Sequence, residues 1–217
     1  MSPATVIAID GAAGSGKSTL ARSLARAIGV PYVNTGLMYR ALTAAAVALG
    51  IDPDDEGSLV EVMETLRFSL AGDSPAELSI ESSPEWPSLI GPEVEAAVSS
   101  VSRHPRVRTL MRDAQRELGL HGAVIEGRDI ASVVFPDAPV KLYLVADSTV
   151  RARRRAAERF GERTIEALHA RDRTDSRVNP FTAQPGAAVI DTTNLDVEGT
   201  LAVALDIVRE RLPGVAP

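Results

Sequence analysis

Short apolar runs and helical periodicities alternate along the first quarter of the chain. Val6 to Ile9 is continuously apolar and is closed by Asp10 and a glycine-rich turn, the pattern of a short strand buried on both faces. From about Lys17 to Ile28 the residues Leu20, Leu24, Ala27 and Ile28 recur on one helical face, and Gly29 and Pro31 stop the helix. Tyr32 to Thr35 reads as a second short strand, and Leu37 to Leu49 as a helix ending at Gly50. Strand, helix, strand, helix is the opening of an α/β fold with a parallel sheet.

Arg67 to Leu89 breaks that rhythm. RFSLA and ELSIES alternate apolar with polar residues around the turn formers Gly72, Asp73, Ser74 and Pro75, which predicts a small antiparallel hairpin closed by Pro84 and Pro87. Helical stretches follow at about Glu93 to Ser102 and Arg106 to Leu118, then strands at Ala123 to Ile125 and Val140 to Val145. An arginine-dense helix from about Thr149 to Arg159 and a further helix through Glu166 to Arg171 precede a last strand, Ala188 to Asp191, and a last helix, Val197 to Leu212. Five buried-type strands alternating with helices, without repeats or low-complexity linkers, predict one doubly wound sheet with excursions, a single domain over residues 1–217.

Composition narrows the chemistry. With 45% hydrophobic and 24% charged residues, the chain has the balance of a globular domain with a proper core. It has no cysteine, which removes disulfides, thiolate zinc sites and cysteine nucleophiles; three histidines, His104, His121 and His169, make a histidine metal cage an unpromising reading. The start, MSPATVIAID, has neither a basic leader nor a long apolar stretch, and no window approaches the ~20 apolar residues needed to span a bilayer, so a cytoplasmic protein without a membrane partner is expected.

The formal charge of −6 hides two opposite regions. Between Asp52 and Glu95 twelve acids face one base, Arg67, a local charge of −11 that leaves +5 for the remainder. That excess is arginine: the chain has 21 arginines and two lysines, Lys17 and Lys141. A codon bias would explain the scarcity of lysine but not where the two remain.

Lys17 lies in Gly11-Ala12-Ala13-Gly14-Ser15-Gly16-Lys17-Ser18, followed by Thr19, a match to G-x-x-x-x-G-K-[ST] set between a buried strand and an amphipathic helix. In that setting the motif is a phosphate-binding loop for a nucleoside triphosphate. Its glycines let backbone N–H groups and the helix N-terminus face the phosphates, the lysine bridges the β and γ oxygens, and Ser18 binds Mg²⁺. A carboxylate at the end of a neighbouring strand commonly completes such a metal site, and Glu126 is the leading candidate. Asp10 is the second, with a capping role beside the loop as its competing reading.

From Arg151 to Arg177 nine arginines are interspersed with five acids. Such a run suits a solvated helix face or a nucleic-acid patch, but beside a triphosphate loop it also suits a clamp. Planar guanidinium groups match the oxygens of a transferring phosphoryl group, and a segment closing over them excludes water. Nucleic-acid binding would call for stacking aromatics, and Phe160 is the only aromatic residue in the run, so no nucleic-acid partner is expected.

Taken in order, IDGAAGSGKST, NTGLMYRAL, VSSVSRHPRVR, EGRDIASVVFPDAPVKLYLVA and RDRTDSR resemble the bacterial cytidylate kinases over nearly the whole chain. The resemblance implies Mg²⁺-dependent transfer of the ATP γ-phosphoryl group to CMP or dCMP by a monomer. It also implies a three-layer phosphate-loop fold with a parallel five-stranded sheet, a monophosphate-binding insertion at 66–92 and an arginine-rich lid at 151–166. Matched residue by residue, Arg40, Arg128 and Arg177 would hold the acceptor phosphate, with Thr35 and Tyr39 beside it. Ser99, Arg108 and Asp129 would read the base, and Arg171 and Asp175 would contact ribose or phosphate. Lys17, Arg128, Arg154 and Arg155 would serve the transferred group. The chain departs from the family pattern at Asn34, where an aspartate is usual, and at Ile90, where an arginine is.

The base assignment has its own chemical sense. Cytosine offers an amino donor at C4 and acceptors at N3 and O2, so Asp129 accepts where Arg108 and Ser99 donate; uracil reverses the first two positions. Other readings stand beside it. Arg108 shares a four-residue spacing with Arg112 and Arg116 and would fit a solvent-facing stripe, Ser99 a helix-packing site, Arg128 and Asp129 a mutual ion pair, and Tyr39 the core. The alternatives for the whole protein are another small phosphate-loop kinase, acting on a different nucleotide, shikimate or gluconate, and a nucleotide-binding regulator without turnover.

Overall fold

The computed structural model describes residues 5–73, 75–158 and 182–215. β1 (Val6–Gly11) is buried at every position and lies inside one sheet, paired in parallel with β5 (Ala123–Gly127) on one side and β6 (Val140–Val145) on the other. Beyond β6 runs β7 (Ala188–Asp191), and beyond β5 runs β2 (Tyr32–Asn34), both parallel to their neighbours. These are the five buried-type strands expected from the apolar runs.

The sheet does not stop there, which corrects the expectation of five strands. The hairpin of β3 (Phe68–Ala71) and β4 (Glu77–Ile80) adds to the same sheet, giving seven strands in the order β3-β4-β2-β5-β1-β6-β7 with one antiparallel pair. Tyr32 pairs in parallel with Glu77, and the Tyr32 N–H donates to the Ala76 carbonyl at 2.9 Å. An open β2 edge would leave backbone donors unpaired, and the hairpin covers it. The expected alternation along RFSLA holds: β3 exposes every second residue.

Period-2 geometry sends the residues of β1 to two separate cores. Ile7 and Ile9 pack with Leu20 and Leu24 of α1 (Lys17–Ile28) and Val208 of α7 (Val197–Arg211). Val6 and Ala8 face Met38 and Leu42 of α2 (Thr35–Ala48), Leu59 of α3 (Glu56–Thr65) and Met111 of α5 (Pro105–Gly119). Helices therefore cover both faces of the sheet in three layers, and α2 also packs on α4 (Pro92–Val101).

α3 was not expected from the sequence. Its N-cap is Asp55, whose carboxylate accepts from the Gly57 and Ser58 N–H groups, and it buries Leu59, Val60, Val62 and Met63. α6 (Ser148–Glu158) carries the first part of the arginine run. The rest of the expected lid, the helix through Glu166 to Arg171, and Arg171, Asp175 and Arg177 themselves lie outside the described residues.

Candidate active site

At the C-terminal ends of the parallel strands, where such sheets bind ligands, most of the described sequence-predicted residues line one cleft of about 300 Å³. β1 runs into the phosphate loop, and α1 starts at Lys17 directly behind it. Gly14 and Gly16 have φ of +76° and +92°, left-handed conformations that glycine adopts without a steric cost. A Cβ on Gly14 would lie 2.6 Å from the Arg151 carbonyl oxygen of α6, so the loop and that helix meet backbone to backbone.

Lys17 is buried, and its Nζ donates to the Ala12 carbonyl at 2.8 Å, inside its own loop. Burial, and next the nearby Arg128, push its ammonium down to about 8. The Ser18 hydroxyl donates to Glu126 Oε1 at 2.6 Å, and the Tyr32 hydroxyl reaches the same oxygen at 3.3 Å. Glu126 is 4% exposed. Asn34 supports this group, donating to the Tyr32 hydroxyl at 3.3 Å while its Oδ1 accepts from Leu37 N and caps α2.

Among the described residues, no three carboxylates or histidines gather as a metal cage. The Ser18–Glu126 pair nevertheless fits Mg²⁺, which takes one or two protein oxygens and fills its octahedron from phosphates and water. Asp10 does a different job. Its two carboxylate oxygens accept from the Ile130 and Ala131 N–H groups at 2.9 and 2.8 Å, capping the π-helical turn Ile130–Val134. Burial pushes its carboxyl up to about 6. Of the two readings of Asp10, the capping one matches the geometry.

The residues expected on the acceptor side come from separate elements. Arg40 projects from α2 and donates to the Leu89 carbonyl at 2.9 Å and to Glu95 Oε2 at 2.5 Å. Arg128 follows β5 and donates to the Gly11 carbonyl at 3.3 Å, beside the phosphate loop. Arg108 of α5 forms an ion pair with Asp129 and donates to the Ser102 carbonyl at 3.4 Å. With Ser99 of α4, both line the cleft. Arg108 is thus turned inward, whereas Arg116 two turns on donates to the carbonyls of Val133 and Val134. Tyr39 also lines the cleft, and burial pushes its hydroxyl up to about 12. The Thr35 hydroxyl is spent on the Glu126 carbonyl at 2.8 Å, locking the start of α2 to the end of β5.

The two α6 arginines expected to serve the transferred group separate. Arg155 lines the cleft and lies 3.5 Å from Glu95 Oε1. Arg154 turns to the back of the loop, donating to the Thr192 hydroxyl at 2.9 Å and the Thr192 carbonyl at 2.7 Å; that hydroxyl lies 3.0 Å from the Ser15 carbonyl. Sequence reasoning missed Glu95, Thr192 and Arg151, whose Nη1 donates to the Ala13 carbonyl at 3.1 Å. The only signal for Arg151 was its place in the arginine run, and Glu95 and Thr192 had none.

The cytidylate kinase family model matches residues 7–210. The chain is 40% identical over 223 residues to a cytidylate kinase of Mycobacterium avium (strain 104), covering 97% of this chain and 98% of that protein. To a cytidylate kinase of Geobacillus kaustophilus (strain HTA426) it is 39% identical over 217 residues, covering 95% and 97%. The fold is similar to that in the crystal structure of TT1252 from Thermus thermophilus, with a TM-score of 0.51 and 22% identity over 97% of this chain and 99% of that one. The matches take in the phosphate loop, the Arg108–Asp129 pair and the strands that bring them together: the chain belongs to the cytidylate kinase family.

Proposed function

We infer that this chain transfers the γ-phosphoryl group of ATP to CMP or dCMP, giving ADP and CDP or dCDP. The observation that carries the reading is that one cleft is lined both by Lys17, Ser18 and Glu126 and by Ser99, Arg108 and Asp129. The first set suits a triphosphate; the second offers an acceptor and donors in the order cytosine requires. Uracil would set a carbonyl oxygen against the Asp129 carboxylate, and buried mismatches of that kind reject an analogue far better than shape does.

The ATP phosphates lie against the backbone N–H groups of Gly11 to Thr19 and the N-terminus of α1, with Lys17 on the β and γ oxygens. Ser18 and Glu126 hold Mg²⁺, which when bound neutralises the charge that develops on those oxygens. Arg40 and Arg128 hold the acceptor phosphate, joined by Arg177 on the strength of the family resemblance; Arg171 and Asp175 contact ribose or phosphate on the same ground. The acceptor oxygen is already anionic, so alignment takes the place of a protein general base. Arg155 and the rest of the 151–166 lid draw the transferred group inward and exclude water, while Arg154 braces the loop from behind through Thr192. Donor and acceptor groups all lie on one chain, so a monomer suffices.

The test is ADP release from ATP and Mg²⁺ in the presence of CMP, dCMP, UMP, AMP, shikimate or gluconate. The cytosine nucleotides are expected to be preferred over UMP by roughly tenfold or more in kcat/KM. Equal rates with UMP, or a preference for a non-nucleotide acceptor, would overturn the reading.

A further inference from the structure

Three charged side chains form a buried row beside the cleft, and the two outer ones, Arg40 and Arg155, line it. Glu95 of α4 is 4% exposed in its side chain and Arg40 of α2 is 8% exposed, with Arg40 Nη2 2.5 Å from Glu95 Oε2. Arg155 of α6, 12% exposed, lies 3.5 Å from the other carboxylate oxygen, Oε1. Arg155 is also close enough to the phosphate loop to lower the affinity of Lys17 for its proton. Glu95 therefore stands between a cation on the acceptor side and a cation that reaches toward the donor lysine. One helical turn further along α4 is Ser99, which lines the same cleft.

We propose that Glu95 is a positioning residue for phosphoryl transfer, a carboxylate that tethers Arg155 of the lid helix to the acceptor-phosphate arginine Arg40. This rests on the transfer to CMP proposed above. A buried carboxylate beside an anion site opposes the entry of a phosphate dianion, so placing one there weakens binding. What it gives in return is geometry. Two long arginine side chains, each with many rotamers, face the two oxygens of one planar group, Arg40 through a hydrogen bond and Arg155 as an ion pair at 3.5 Å, before substrate arrives.

The tether makes kcat and KM move together in an unusual way. Glu95→Gln keeps the shape, removes the negative charge and presents an amide N–H₂ to one of the two arginines. The KM for CMP should fall about threefold, because the site gains net positive charge, and kcat should fall about tenfold or more, because Arg155 is released. A residue that merely holds the fold together would show the reverse, a raised KM with a lowered melting temperature. The measurement is steady-state ADP release against CMP concentration, with thermal melting and calorimetric CMP binding on the same samples.

Glu95→Gln removes the carboxylate that two buried cations share, so a second comparison covers poor folding of that variant. Arg155→Met is set against the Arg155→Met, Glu95→Gln double variant, which removes one charge of each sign. If Glu95 acts through Arg155, the kcat values of these two proteins agree within about twofold. A KM that rises in Glu95→Gln, a kcat within twofold of wild type, or a further tenfold loss in the double variant would overturn the proposal. Wild-type protein that releases no ADP with CMP would instead count against the proposed function.

Discussion

The proposed donor and acceptor halves of the cleft are built by opposite means. The donor half is one unbroken stretch, Gly11 to Thr19, at the end of a fully buried strand, and it works largely through backbone groups. The acceptor half is made of side chains gathered from afar: Arg40 on α2, Ser99 on α4, Arg108 on α5, Arg128 and Asp129 after β5. A backbone device tolerates changes of side chain but not of conformation, while a side-chain cluster has the opposite weakness. Gly14 illustrates the first, since any Cβ there runs into the Arg151 carbonyl; the Arg108–Asp129 pair illustrates the second.

The sharpest way to break this contrast is to remove a loop residue whose proposed role is carried by its side chain. Lys17→Ala should lower kcat about 10³-fold with CMP and dCMP alike, read by coupled ADP release; a loss confined to one acceptor would mean that the lysine serves the acceptor half.

Asp10 joins the halves, because it ends the donor strand and caps the turn that follows Arg128 and Asp129. Its carboxyl keeps its proton up to about 6 in the folded chain but gives it up near 3.8 once unfolded. Between those values the folded state binds more protons, so this group's contribution to stability falls as pH rises through that window. Relative to an Asp10→Asn variant, wild type should lose about 2 kcal/mol of stability from pH 4 to pH 7 by urea denaturation. A difference independent of pH would show Asp10 to be ionised throughout.

On the acceptor side, Asp129→Ala should reduce the CMP-over-UMP ratio in kcat/KM by roughly tenfold to a hundredfold while the KM for ATP stays within about twofold. Equal losses with both acceptors and with ATP would make Asp129 a partner of Arg108 and nothing more. The smallest effect falls outside the residues that line the cleft: Arg103 and Asp54 form an ion pair at 2.9 Å with side chains 52% and 60% exposed. Arg103→Ala should leave kcat/KM unchanged and cost no more than about 0.5 kcal/mol.

The same contrast decided what could be read from the chain. The apolar runs delivered β6 and β7 with their boundaries and β1 short of Asp10 and Gly11, and the clearest of them, in β1, comes from a strand buried on both faces. α3 escaped because its buried face, Leu59, Val60, Val62 and Met63, is embedded in the most acidic part of the chain, although Asp55 with Ser58 is a capping signal. The hairpin was legible as a hairpin, but its attachment to the sheet rests on the single Tyr32–Glu77 pairing, which no local pattern announces. In the site, the phosphate loop was visible as a motif and Glu126 as an acid after an apolar run. The base-reading group needed the family resemblance, because its members are 30 positions apart along the chain, from Ser99 to Asp129. Glu95 was one acid among twelve in its region, and only the fold distinguishes it from the exposed ones.

The contact between Thr192 and Ser15 spans 177 positions, and it bears on how the protein is born. The loop leaves the ribosome early, yet its strand has no sheet neighbour until Ala123–Gly127 and Val140–Val145 follow, and the hydroxyl behind it arrives later still. At ~5–20 residues per second, the nascent chain carries an unsupported nucleotide loop for roughly ten seconds or more. Synthesis must be nearly complete before the loop gains its last support, so a truncated product lacking the final strand and helix should be a poor competitor for cellular ATP.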